Sequence, residues 1–168
     1  MTIIGRDRPG LVDSLAQVVT AHGGNWLESR MSRLGGQFAG ILRISVPATR
    51  QPAIKESLRQ LRTVGLAVTV HRDETSVASQ SGPATVLEIV GQDRPGIIRE
   101  ISHTLAEMDV NVEELESECS SAAMSGEAIF KAQFRVRLPV NCQLDRLRQR
   151  IEHIAADLIV DVSFGEPG

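Results

Sequence analysis

The chain has 168 residues, 42% apolar and 23% charged, with a net charge of −3. This composition fits one medium or two small folded domains and excludes disordered, collagen-like and coiled-coil chains. The acidic balance argues against a protein whose main work is neutralising phosphate backbones, and 3% aromatics with no tyrosine argue against single-strand stacking platforms.

The first predicted element is a short strand within Met1–Ile4, followed by Gly5-Arg6-Asp7-Arg8-Pro9-Gly10 and a helix with Leu11, Val12, Leu15, Val18 and Val19 at helical spacing. Charge arrives too soon after Met1 for a secretory signal. Asp7 is expected to cap the helix, with Pro9 in its first turn and Gly23-Gly24 at its end. A second strand opens at Asn25. A third alternates Phe38, Gly40, Leu42, Ile44 and Val46 inward; a helix follows Pro47, and Leu66–Val70 closes the unit.

The chain then repeats itself. Ile3–Val12 returns as Ile89–Ile98 at an offset of 86, with six of ten positions identical and three more exchanged among Ile, Leu and Val. Chance would give roughly one match or fewer, so a structural unit has been duplicated. The offset holds through Asn25 and Asn111, then grows to 92 at Pro47 and Pro139. About six extra residues are therefore expected around Cys119–Gly126.

In the second copy the opening strand is Val86–Val90, and Ile97, Ile98, Ile101, Leu105 and Met108 form the helix face. Phe130, Ala132, Phe134, Val136 and Leu138 alternate with Lys131, Gln133, Arg135 and Arg137. The closing strand is expected at Leu158–Val162. Residues 73–83, Ser-rich and closed by Gly-Pro, have linker composition between a first domain at 1–72 and a second at 84–168. Each copy reads βαββαβ. The expected fold is α+β: two ferredoxin-like units in tandem, each an antiparallel sheet with helices on one face. Such a unit buries a modest core, so the two are expected to pack on each other.

No catalytic set emerges. Gly-x-x-x-x-Gly at Gly5–Gly10 and Gly91–Gly96 is followed by Leu or Ile where a phosphate loop needs Lys and Ser/Thr. The four histidines lie at no metal-ligand spacing, and Gly-x-Ser-x-Gly is absent. The two cysteines, Cys119 and Cys142, suit neither a disulfide scaffold nor zinc. They are expected as small buried hydrophobes in a reduced, cytoplasmic protein, with no cofactor and no apolar run long enough to span a membrane. Arg8 and Arg94 are expected in surface or interface salt bridges, and Trp26 over a domain or subunit contact. Lys131, Arg135, Arg137, Arg146, Arg148 and Arg150 are expected on solvated faces.

The doubled Gly-x-Asp-Arg-Pro-Gly helix entry, with an Asn eighteen residues after the Asp in both copies, resembles an ACT domain. The two-copy layout, Ser125–Phe130, Leu138-Pro139 and Asp157–Val162 are similar to the glycine cleavage system transcriptional repressor family. The resemblance implies a small amino acid, glycine or similar, bound at an interface between paired domains. It further implies a homo-oligomer and a DNA-binding protein partner. The alternative is a free-standing subunit that controls a metabolic enzyme; neither reading needs direct contact with nucleic acid or membrane.

The candidate ligand residues are Arg6, Asp7, Gly10 and Asn25 in copy one, and Gln92, Asp93, Gly96 and Asn111 in copy two. Helix-entry N–H groups suit a carboxylate, the Asp side chains an ammonium, and the Asn side chains offer both donor and acceptor. The same residues also admit a structural reading: Asp as a cap worth about 1 kcal/mol, Gly for tight packing, Asn for a turn.

Overall fold

A computed structural model describes residues 1–72, 82–121 and 128–165. The chain divides into two compact units, Met1–Thr75 and Ser76–Gly168. The expected linker falls largely on residues 73–81, outside the described residues.

The first unit runs β1 (Thr2–Arg6), α1 (Leu11–Ala21), β2 (Asn25–Leu34), β3 (Gln37–Ser45), α2 (Gln51–Gln60) and β4 (Leu66–Thr69). Its strand order is β2-β3-β1-β4, with antiparallel neighbours. The second unit repeats it with β5 (Ala84–Gln92), α3 (Ile97–Glu107), β6 (Asn111–Ser121), β7 (Ala128–Arg137), α4 (Leu144–Leu158) and β8 (Val160–Gly165), in the order β6-β7-β5-β8. This is the α+β arrangement expected from the βαββαβ pattern. β1 has five residues and β5 nine.

The core of each unit lies between sheet and helices. In the second unit Leu87, Ile89, Phe134 and Val136 meet Ile101, Leu105, Leu147 and Ile151. Phe130 to Leu138 face inward at every second position, and Lys131 and Gln133 stay wet. In the first unit Ile3, Leu42 and Leu66 meet Leu11, Leu15, Ile54 and Leu58. Val12, expected on the core face of α1, is exposed, because the stripe of Leu11, Leu15 and Val19 already fills that face. Trp26 packs half-buried against its own unit's core, and its indole N–H donates to Ser29 Oγ at 3.2 Å.

The basic residues of the second unit are largely paired. Arg135 meets Glu114 at 3.1 Å, Arg137 meets Glu113 at 2.5 Å and Arg150 meets Glu107 at 2.5 Å. Arg148 lies over the Phe164 ring. Three of the six basic residues expected on solvated faces thus pair with glutamates.

Turn chemistry accounts for the breaks. Gly35 and Gly36, both at positive φ, make a two-residue hairpin between β2 and β3. In the second unit β6 continues through Cys119 to Ser121, so the extra residues fall on 122–127, outside the described residues. Helix α1 ends with Gly23 left-handed at φ 66, its N–H bonded to the Thr20 carbonyl and that of Gly24 to Val19. Helix α3 ends the same way with Asp109 at φ 54. The closing strand of the second unit starts at Val160 rather than Leu158. Helix α4 runs through Leu158, and Ile159 takes a left-handed conformation at φ 56 to turn the chain. The matching position in the first unit is Gly65, at φ 81.

The backbone makes three substitutions informative about stability. A β-branched residue is strained at positive φ, and Ile159 is 63% exposed, so Ile159→Gly gives up little burial. It should raise stability by about 1 kcal/mol, read as a higher urea midpoint; an unchanged or lower midpoint would contradict the left-handed assignment. Gly5 is different. It sits where β1 passes β4, and a Cβ there would run into the carbonyl oxygen of Gly65. Gly5→Ala should cost about 2–3 kcal/mol. Gly10→Ala, where a Cβ meets nothing within 4 Å but φ is 87, should cost only about 1 kcal/mol.

Candidate functional site

The site grows from the exit of the central strand. Gly5 in β1 and Gly91 in β5 lack a Cβ because the closing strand comes too close; at Gly91 it would lie 2.6 Å from Val160 Cγ1. Past this point the chain leaves the sheet. The Asp7 N–H donates to the Gly36 carbonyl and the Asp93 N–H to the Ala128 carbonyl, both at 2.9 Å. Pro9 and Pro95 then lead to Gly10 and Gly96, left-handed at φ 87 and φ 103, and the helices begin at Leu11 and Ile97.

Asp7 and Asp93 are therefore not helix caps. The cap residues are Gly10 and Gly96, with no side-chain cap bond. The proline likewise precedes the helix rather than opening it. The reason is distance along the chain: three residues and a left-handed turn separate each Asp from the first helical residue. The glycines are not there for packing either, since a Cβ at Gly10 or Gly96 would meet nothing. They are needed for the turn, which leaves the N–H groups of Leu11–Asp13 and Ile97–Arg99 without side-chain caps.

What surrounds the two Asp carboxyls differs. Asp7 is half-buried and faces Arg33 Nη1 at 3.6 Å. Asp93 is exposed and faces the Cys119 thiol, which donates a hydrogen bond to it. Partial desolvation, and then this carboxylate, push Cys119 above the usual thiol range, so the thiol is neutral at pH 7. Cys119 is exposed on β6, not a buried hydrophobe; Cys142 is half-buried.

The neighbouring arginines tie the turns down. Arg8 Nη2 donates to the Val64 carbonyl at 2.6 Å, and Arg94 Nη2 donates to Gln92 Oε1 at 3.1 Å. Both bonds go to neutral acceptors, where salt bridges were expected. Arg6 and Gln92, the last residues of β1 and β5, are exposed.

Asn25 and Asn111 do not join these turns within a unit. Asn25 pairs with Ser45 and Asn111 with Arg137, whereas Arg6 pairs with Gln37 and Gln92 with Ile129. The two ends lie eight residues apart along β3 and β7, about 26 Å at 3.3 Å per residue. One small ligand cannot touch both in a single unit.

The turns are exposed rims. A concavity of about 480 Å³ lies instead on the open face of the second sheet, lined by Glu88, Val90, Glu116, Glu118, Lys131 and Gln133. Another of about 360 Å³ lies between the end of α3 and the start of α4, around Glu107, Asp109, Gln143 and Arg146. Neither includes a turn. Among the described residues no three His, Cys, Asp or Glu side chains gather to hold a metal, and no helix is long and apolar enough to cross a membrane.

Arg33 and Cys119, which face the two Asp carboxyls, are absent from the candidate set read from the sequence. They are one position of the repeat, at the same offset of 86 that relates Asp7 to Asp93. Carrying that offset to the end of β2 would have found them.

Comparison with known proteins follows this geometry. One ACT-domain model matches residues 1–71 and a second matches residues 85–131. The glycine cleavage system transcriptional repressors of Escherichia coli (strain K12) and Shigella flexneri are each 24% identical over 160 residues, covering 94% of this chain and 84% of theirs. A crystal structure of an unknown protein from Galdieria sulphuraria superposes with a TM-score of 0.83 at 26% identity, over 99% of this chain and 96% of that one. A proposed glycine cleavage system transcriptional repressor superposes at 0.68 with 22% identity, over 98% and 93%, which is a likeness of fold. The chain belongs to the ACT-domain family and carries two ACT domains in tandem.

Proposed function

We propose that this protein is a non-catalytic cytoplasmic regulator that senses a small amino acid, glycine first among the candidates. It would pass that signal to a DNA-binding protein partner and so repress genes of glycine breakdown. The observation that carries the reading is the helix-entry turn of an ACT domain. First-turn N–H groups without side-chain caps begin four residues after an Asp, on a backbone kept open by a left-handed glycine. The N–H groups suit the carboxylate of a zwitterion and the Asp suits its ammonium. Similarity to the two repressors along 94% of the chain supports the choice of output.

Ligand and partner binding must be reciprocal. If the amino acid changes affinity for the partner, the partner changes affinity for the amino acid by the same factor. Three arginines of the second unit pair with glutamates and the chain's net charge is −3, which supports an indirect role on DNA.

The test is thermal. In a screen of the twenty amino acids, one present at 100 times its dissociation constant should add about 2.7 kcal/mol and raise the melting temperature by several degrees. Asp93→Ala should remove that shift while leaving the ligand-free melting temperature nearly unchanged. No shift with any amino acid refutes sensing. Salt-sensitive binding of DNA by the purified chain alone would refute the intermediary.

A further inference from the structure

We propose that of the two turns only the second takes the amino acid, and that one register position, Arg33 in β2 and Cys119 in β6, decides this. The inference rests on the sensing reading above and asks which half of the duplication performs it.

The two positions are equivalent in the sheets. Arg33 lies opposite Phe38, which lies opposite Gly5; Cys119 lies opposite Phe130, which lies opposite Gly91. Both side chains thus reach the carboxyl of the turn residue two strands away. In the first unit a guanidinium arrives, 3.6 Å from Asp7. In the second a neutral thiol arrives, and it donates only a weak hydrogen bond to Asp93.

The rest of the turn adds to the contrast. Arg6 becomes Gln92, and the Gln92 amide oxygen accepts a bond from Arg94. The first turn carries Arg6 and Arg8 in its own sequence and meets Arg33 across the sheet, the last at 3.6 Å from the Asp7 carboxyl. The second has Arg94 and Asp93, a balanced pair, and among the described residues no cation pairs with Asp93. Residues 122–127, outside the described residues, include no Lys or Arg. In the helices' first turns α1 has Asp13 where α3 has Arg99, which pairs with Glu100 at 3.1 Å; the first turn thus keeps an excess of positive charge, Arg6, Arg8 and Arg33 against Asp7 and Asp13, and the second is balanced.

The Arg33–Asp7 bond itself is not what excludes a ligand. Arg33 is 72% exposed, and such pairs are weak. The standing positive charge is what matters. An ammonium seated on Asp7 would lie within a few ångström of a guanidinium, and at a protein surface that repulsion weakens binding by about tenfold. At Asp93 the ammonium meets only a thiol, which can yield its hydrogen bond.

Calorimetric titration of the full chain with glycine tests this. The expected result is one glycine per chain. Cys119→Arg and Cys119→Lys should each weaken it about tenfold, and Arg6→Gln with Arg33→Cys should open a second site. Raising the salt concentration toward 1 M should narrow the gap between Cys119→Arg and the parent, because screening acts on repulsion between charges and not on a steric block. Variants are compared only where circular dichroism matches the parent. Two equal glycines per parent chain would overturn the proposal. So would affinity that survives Cys119→Arg but is lost in Asp7→Asn, or a gap that salt leaves unchanged. A parent chain and variants that bind no glycine at all would overturn this proposal by removing the glycine-sensing reading beneath it, an outcome distinct from two equal sites.

Discussion

Each unit is organised by a collision that a side chain would cause. The central strand passes its closing neighbour so closely at Gly5 and Gly91 that a Cβ would strike the Gly65 carbonyl in one unit and Val160 in the other. The strand therefore leaves the sheet at a set place. Five residues later, a second glycine reverses the chain in the left-handed region, and the helix begins. One glycine is required by packing and the other by backbone conformation, which is why the motif needs both at this spacing. The backbone hydrogen bond from each Asp N–H to the start of the third strand then pins the turn between them.

A frame fixed by backbone leaves the side chains free to diverge. The turns of the two units share their course, glycines and aspartate, yet differ at Arg6/Gln92 and Arg33/Cys119. Neither exchange touches a core residue, so neither disturbs the fold. Both alter the charge next to the same carboxyl. On the proposed reading, duplication of this kind keeps the donor geometry and lets electrostatics alone separate the roles of the halves. Magnitudes favour the same view: exposed ion pairs add little to stability, whereas a like charge beside a bound ammonium changes affinity measurably.

The repeat, the six-element order and the inward face of β7 were legible because they rest on periodicity, which is local. The helix cap was not. Asp before Pro-Gly has cap chemistry, but the left-handed glycine moves the helix start beyond its reach, and φ is not written in residue type. The end of α4 failed for a related reason. Leu158–Val162 alternates like a strand, and a β-branched residue at positive φ is the last one to expect at a helix end. The grouping of the candidate residues was half legible. Arg6, Asp7 and Gly10 do share a turn, as do Gln92, Asp93 and Gly96. Asn25 and Asn111 share the motif's spacing but not its place, because β2 runs parallel to β1 and so begins at the opposite end of the sheet.

That separation bears on how a tandem of such domains can work. A turn on an exposed rim has few walls of its own, so the proposed affinity for a ligand as small as glycine rests on two charges placed correctly. Helix-entry N–H groups are common to both units and supply the anionic half of the match. On the proposed reading the cationic half depends on the charge that stands beside the Asp carboxyl, and this is set from β2 or β6, a strand that is not its sequence neighbour. On the proposed reading, recognition of a zwitterion at these turns is a tertiary property: the motif carries the carboxylate subsite, and the sheet register carries the ammonium subsite.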